Sequence, residues 1–113
     1  MTKALHITPQ KEVQEVTVEG LKDYQSLVGG LIEPVTLRDG STMYANEEGR
    51  YLFGPDDFNS IATDVAGLGG RTDLLLLGLL GPVVIVGPLD SEGDDTDVTD
   101  YARGLVERVA REA

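Results

Sequence analysis

Residues 74–86 read LLLLGLLGPVVIV, the most hydrophobic stretch of the chain, and they constrain the fold more than any other feature. A helix that spans a bilayer needs about 20 consecutive apolar residues, and Gly78, Gly81 and Pro82 interrupt this run well before that length. The stretch therefore belongs in a protein core, and its punctuation predicts two buried strand segments meeting at Gly81-Pro82. The chain has no Trp and is only 5% aromatic, so Leu, Val, Ile and Ala must fill the interior around it. A length of 113 residues supports one such core, and the expectation is a single domain over residues 1–113.

Turn and helix signals divide the remainder. Residues 3–8 and 12–18 predict strands, the second from EVQEVTV with Val13, Val16 and Val18. Leu21, Tyr24, Leu27 and Val28 recur at helical spacing, and Gly29-Gly30 supplies a left-handed C-cap. Residues 32–38 and 41–45 predict a hairpin through Asp39-Gly40, with positive φ at both turn residues. Asn46-Glu47-Glu48-Gly49 predicts a further turn, with positive φ at Gly49, into a third strand at residues 50–53. Gly54-Pro55-Asp56-Asp57 reads as a helix start, with Phe58, Ile61, Ala62 and Val65 on one face and Gly67, Gly69 and Gly70 closing it.

After Gly87-Pro88 an acidic loop over residues 90–97 leads to a C-terminal helix. On it Val98, Tyr101, Ala102, Leu105, Val106, Val109 and Ala110 follow an i, i+3, i+4, i+7 pattern, with Thr96 and Asp97 as N-cap candidates. Gly104 weakens this helix by about 0.5–1 kcal/mol relative to Ala, so tertiary packing or a partner helix must support it. Tyr101, Leu105 and Val109 are the candidate contacts with such an oligomer or partner helix. The fold class expected is α+β: a small, mainly antiparallel sheet forming a meander, covered by a helix at residues 56–65 and by the C-terminal helix.

Composition removes several kinds of chemistry. Without Cys, and with His6 as the single histidine, the chain offers no thiolate zinc site, no disulfide framework and no multi-histidine centre. His6 reads as an ordinary strand residue. A net charge of -11 leaves little capacity to neutralise phosphates, so direct nucleic-acid binding is not expected. The acidic loop offers Asp90, Glu92, Asp94 and Asp97 as hard oxygen ligands, but an EF-hand needs Gly at its sixth position and Glu at its twelfth. Counted from Asp90, Gly93 is fourth and Tyr101 twelfth, so the loop reads as a solvated linker. Gly29-Gly30 and Gly69-Gly70 lack a phosphate-binding fingerprint and read as helix terminators. No metal or cofactor is expected.

The stretch YANEEGRYL places Glu47 and Glu48 between Asn46 and Arg50, which raises the possibility of paired-carboxylate chemistry. Adjacent residues point to opposite faces of a strand or into water from a turn, whereas acid–base catalysis needs two groups converging on one substrate in unequal environments. The stretch therefore reads as a polar crossing, with Tyr44, Asn46, Glu47, Glu48 and Arg50 as candidate partner contacts. Glu33, on the preceding strand, is positioned to approach Arg50 across the meander.

The order of these segments resembles one family. YQSLVGGLIEPVTLRDGSTMYANEEGRYLFGPDDFNSIAT over residues 24–63, followed by LLGPVVIVG over 79–87, is similar to the bacterial, plasmid and phage family known as domain of unknown function 3846. The match falls on residues 27–33, 46–49, Asn59, Ala62-Thr63 and 81–87, about the central two-thirds of the chain. Departures are Tyr24-Gln25-Ser26, Pro82 and a long segment at residues 71–78. The resemblance implies an architecture and a phage- or mobile-element-like origin, and no activity.

The function expected is that of a small, cytoplasmic, non-enzymatic accessory protein that binds a protein partner and forms a homo-oligomer or a heteromeric complex, with no membrane association. The alternatives are a DNA-mimic inhibitor of a restriction or other DNA-directed defence system, from the net charge, and an enzyme using Glu47, Glu48 or Glu33.

Overall fold

The computed structural model of the protein describes residues 1–112. Strands β1 (Thr2–Ile7) and β2 (Val13–Val18) form a hairpin, followed by α1 (Leu21–Val28) and a second hairpin of β3 (Ile32–Thr36) and β4 (Thr42–Asn46). Short helices α2 (Gly49–Leu52), α3 (Ser60–Leu68) and α4 (Thr72–Leu77) precede β5 (Val83–Val86), and α5 (Asp100–Glu112) closes the chain. The sheet has five strands in the order β2-β1-β5-β4-β3, with every neighbouring pair antiparallel. The last strand in sequence thus enters the middle and joins the two hairpins.

Register and side-chain alternation sort the sheet into two faces. Leu5 lies opposite Ile85, and Ile85 opposite Met43. These residues, with Ile7, Ala45 and Val83, pack against Ile61, Ala62 and Val65 of α3 and Ala102, Val106 and Val109 of α5. The alternate residues Ala4, Val18, Val84 and Val86 pack against Tyr24 and Val28 of α1. The molecule therefore has three layers, α1, the sheet, and α3 with α5. The run VVIV of β5 is buried throughout because both faces of the central strand are covered. Each such Val or Ile contributes about 1.5–3 kcal/mol relative to an exposed position.

The fold class is α+β as expected, with local differences. Residues 74–77 belong to helix α4 and not to a buried strand, because a short apolar run carries no period that separates the two. Residues 50–53 form no third strand: Gly49–Leu52 makes one helical turn. The expected helix at 56–65 starts later, since Pro55–Asp57 is a single 3-10 turn and Asn59 caps α3 through its side chain, which accepts the Ala62 N–H. In the first interior hairpin turn only Gly40 takes positive φ, 90°. Its N–H donates to Leu37 C=O, and Leu37 N–H donates to Ser41 C=O, so the connection is a three-residue loop.

The cap of α5 is Thr99 and not Thr96 or Asp97: Thr99 Oγ1 accepts the Ala102 N–H at 3.1 Å. The same hydroxyl donates to Asp39 Oδ2 at 2.8 Å, so the Asp-Gly turn anchors the start of α5. Asp97 instead accepts the Lys3 N–H at 2.8 Å and ties the end of the acidic loop to β1. The expected C-cap of α1 is present, with Gly29 at φ 83° and the Gly29 and Gly30 N–H groups both donating to Gln25 C=O.

Candidate functional site

Asn46 ends β4 and is buried. Its Oδ1 accepts the Glu48 N–H at 2.8 Å, and its Nδ2 donates to Val28 C=O at 3.1 Å. The first bond shapes the Asn-Glu-Glu-Gly crossing. The second satisfies a carbonyl in the last turn of α1, which has no partner within its own helix. Gly30 lets the two meet, since a Cβ there would sit 3.0 Å from Asn46 Nδ2. Gly49 has no positive φ, contrary to expectation. Close approach favours glycine there: a Cβ would lie 3.1 Å from the Leu80 carbonyl oxygen, so the backbone of one or the other would have to give.

Beyond this crossing lies a recess of about 220 Å³ lined by Glu33, Glu47, Arg50, Tyr51, Leu77 and Leu80, among others. Arg50 does not pair with Glu33. Its guanidinium donates to Leu77 C=O at 3.1 Å and Gly78 C=O at 3.4 Å, placing a cation at the negative end of α4. Asn46, Glu47, Arg50 and Glu33 thus share one recess. Glu48, exposed, is not part of its lining, and Tyr44 lies among the residues that contact α1.

Helix α4 forms one wall of this recess and one wall of a larger groove of about 570 Å³, lined by Asp64, Leu68, Leu75, Arg108, Val109 and Glu112, among others. Leu75 packs so closely on Gly67 that a Cβ there would overlap it. Of the four leucines of α4, Leu74 packs against the core and the other three lie largely outside it: Leu75 is 49%, Leu76 92% and Leu77 60% exposed. Tyr51, in the recess with Leu77, is 89% exposed, so apolar surface spans both sides of α4. Of the residues expected to serve a partner helix, Val109 is in the core, Leu105 is packed against it, and Tyr101 is exposed.

A second cluster had no local signal in the sequence. Tyr24 and Tyr44 pack with ring centroids 4.6 Å apart and their planes tilted by 48°. Their hydroxyls donate to the two oxygens of Asp95, at 2.6 and 2.9 Å. Burial, then the Asp95 hydrogen bond and charge, push the Tyr44 phenol up to about 12 and the Tyr24 phenol higher still. Asp95 lies 71 residues from Tyr24 and 51 from Tyr44, so no motif scan joins them. In the same loop Asp90 Oδ1 accepts the N–H groups of Glu92 and Asp94. Among the described residues no group of three or more His, Cys, Asp or Glu is placed to hold a metal ion. His6 Nε2 donates to Leu27 C=O at 3.1 Å and joins β1 to α1. No helix among the described residues is long and apolar enough to cross a membrane.

A family model described as Domain of unknown function (DUF3846) matches residues 1–110. Comparison with curated proteins and with solved structures finds no match.

Proposed function

The chain belongs to the family described as Domain of unknown function (DUF3846), and we propose that it is a non-enzymatic accessory protein that binds a protein partner through the exposed leucines of α4. The observation that carries this reading is the exposure of Leu75, Leu76 and Leu77 on one short helix, beside Tyr51. Large apolar side chains left exposed together on one short helix are candidates for an interaction site, and their removal from water contributes about 25 cal/mol per Å². The net charge of -11 keeps the free protein soluble while these leucines are uncovered. A cytoplasmic setting and a phage- or mobile-element-related origin are parts of the same proposal.

The test is affinity capture from host lysate with the wild-type protein and with a Leu76→Asp, Leu77→Asp variant, alongside the solution mass of each. A protein captured by the wild type and lost with the variant supports the reading. Equal capture by both refutes the assignment of the surface. A captured DNA-directed enzyme that is released by competing duplex DNA would instead favour the DNA-mimic reading.

A further inference from the structure

The two edges of the sheet differ. The outer strand β3 carries Pro34 at its centre, which removes one backbone donor and guards that edge. The opposite edge, β2, contains neither Pro nor Lys, and among the described residues it pairs only with β1. Its hydrogen-bonding phase follows from the hairpin. Thr8 N–H donates to Glu12 C=O, and the register continues as Ile7 opposite Val13 and His6 opposite Gln14. In an antiparallel ladder, hydrogen-bonded and non-hydrogen-bonded pairs alternate. Gln14, Val16 and Val18 therefore bond to β1, while the N–H and C=O groups of Val13, Glu15 and Thr17 point away from it.

Beside this edge, between β2 and α1, runs a groove of about 290 Å³ lined by Val16, Thr17, Asp23, Ser26 and Leu27. A strand added to β2 would set alternate side chains over that groove. Val16 and Leu27 offer apolar walls to an aliphatic stem, and Asp23 a carboxylate to a cationic head. Exposed Glu12 and Glu19 stand at the two ends of the strand. A second copy of this chain paired antiparallel through the outward groups of Val13, Glu15 and Thr17 would set Glu15 directly opposite its own counterpart, and like charges directly opposite are destabilising.

We propose that β2 is a docking edge for an extended, basic segment of a partner protein, which adds a sixth strand to the five-stranded sheet and places a Lys or Arg over the Val16–Leu27 groove against Asp23. This deepens the partner-binding reading with a surface separate from α4. The two are distinguishable, because Leu76→Asp leaves this edge intact.

The experiment titrates the full protein with a peptide of alternating valine and lysine, with the alternating valine and glutamate peptide as control. Hydrogen exchange reads each backbone amide. The basic peptide is expected to bind with an affinity that falls as salt rises, and to slow exchange at Val13, Glu15 and Thr17. Thr17→Pro, which removes an outward N–H without touching the β1 ladder, abolishes binding. Asp23→Asn retains an oxygen for the Glu19 N–H and weakens binding about tenfold. The proposal is overturned by absent binding, by equal binding of the acidic peptide, or by unchanged exchange at the three amides in the wild-type protein. A dimer that Thr17→Pro dissociates would also overturn it, by assigning the edge to a second copy.

Discussion

Replacing Asn46 with Ala tests whether the crossing is held by that side chain. Two hydrogen bonds are lost, to Glu48 N–H at 2.8 Å and Val28 C=O at 3.1 Å. The Val28 carbonyl belongs to a fully buried residue, and leaving such a group unpaired costs about 1–3 kcal/mol. The Glu48 N–H belongs to an exposed residue, turns to water more easily, and adds about 0.5–1 kcal/mol. The expected loss is about 1.5–4 kcal/mol. For 113 residues, an unfolding entropy of about 2.1 cal/mol/K per residue makes 1 kcal/mol equivalent to about 4 °C. Asn46→Ala should therefore lower Tm by about 6–16 °C in a calorimetric scan. Glu47→Ala and Glu48→Ala, at exposed positions, should stay within about 0.5 kcal/mol of wild type. If Asn46→Ala shifts Tm no more than these controls, the reasoning fails.

Asn59, fully buried, caps α3 and donates to Ile7 C=O and Gly81 C=O at 3.0 Å each, so Asn59→Ala should destabilise more than Asn46→Ala in chemical denaturation. Gly104 is exposed and a Cβ there meets nothing within 4 Å, so Gly104→Ala should stabilise α5 by about 0.5–1 kcal/mol, read as a rise in Tm. The phenols of Tyr24 and Tyr44 titrate above their unfolded value of 10.0, so the stability they contribute is complete below pH 10 and is lost as pH rises toward 12 and beyond. Tyr24→Phe and Tyr44→Phe should each flatten that alkaline fall in Tm and remove late-titrating tyrosinate absorbance.

Much of the fold was legible where local chemistry decides it. The valines of β2, the Gly29-Gly30 stop of α1, the Asp39-Gly40 hairpin and the apolar stripe of α5 all act within a few residues of themselves. The errors share a physical cause. LLLL at residues 74–77 carries no period, so only the docking of Leu75 on Gly67 and of Arg50 on the helix end reveals α4. Asn59 resembled any polar loop residue until Ile7 and Gly81 were brought to its amide. Of the candidate site, the grouping of Asn46, Glu47 and Arg50 follows from chain proximity. Tyr44, two residues before Asn46 on the same face of β4, is drawn instead to Tyr24 and Asp95, which are distant in sequence.

The most direct test of the central claim is capture of a partner by wild-type protein compared with Leu76→Asp, Leu77→Asp. The account predicts a specific protein bound by the wild type and absent from the folded variant. A wild-type protein that is monomeric and captures nothing, or a variant that captures the same protein equally well, would contradict it.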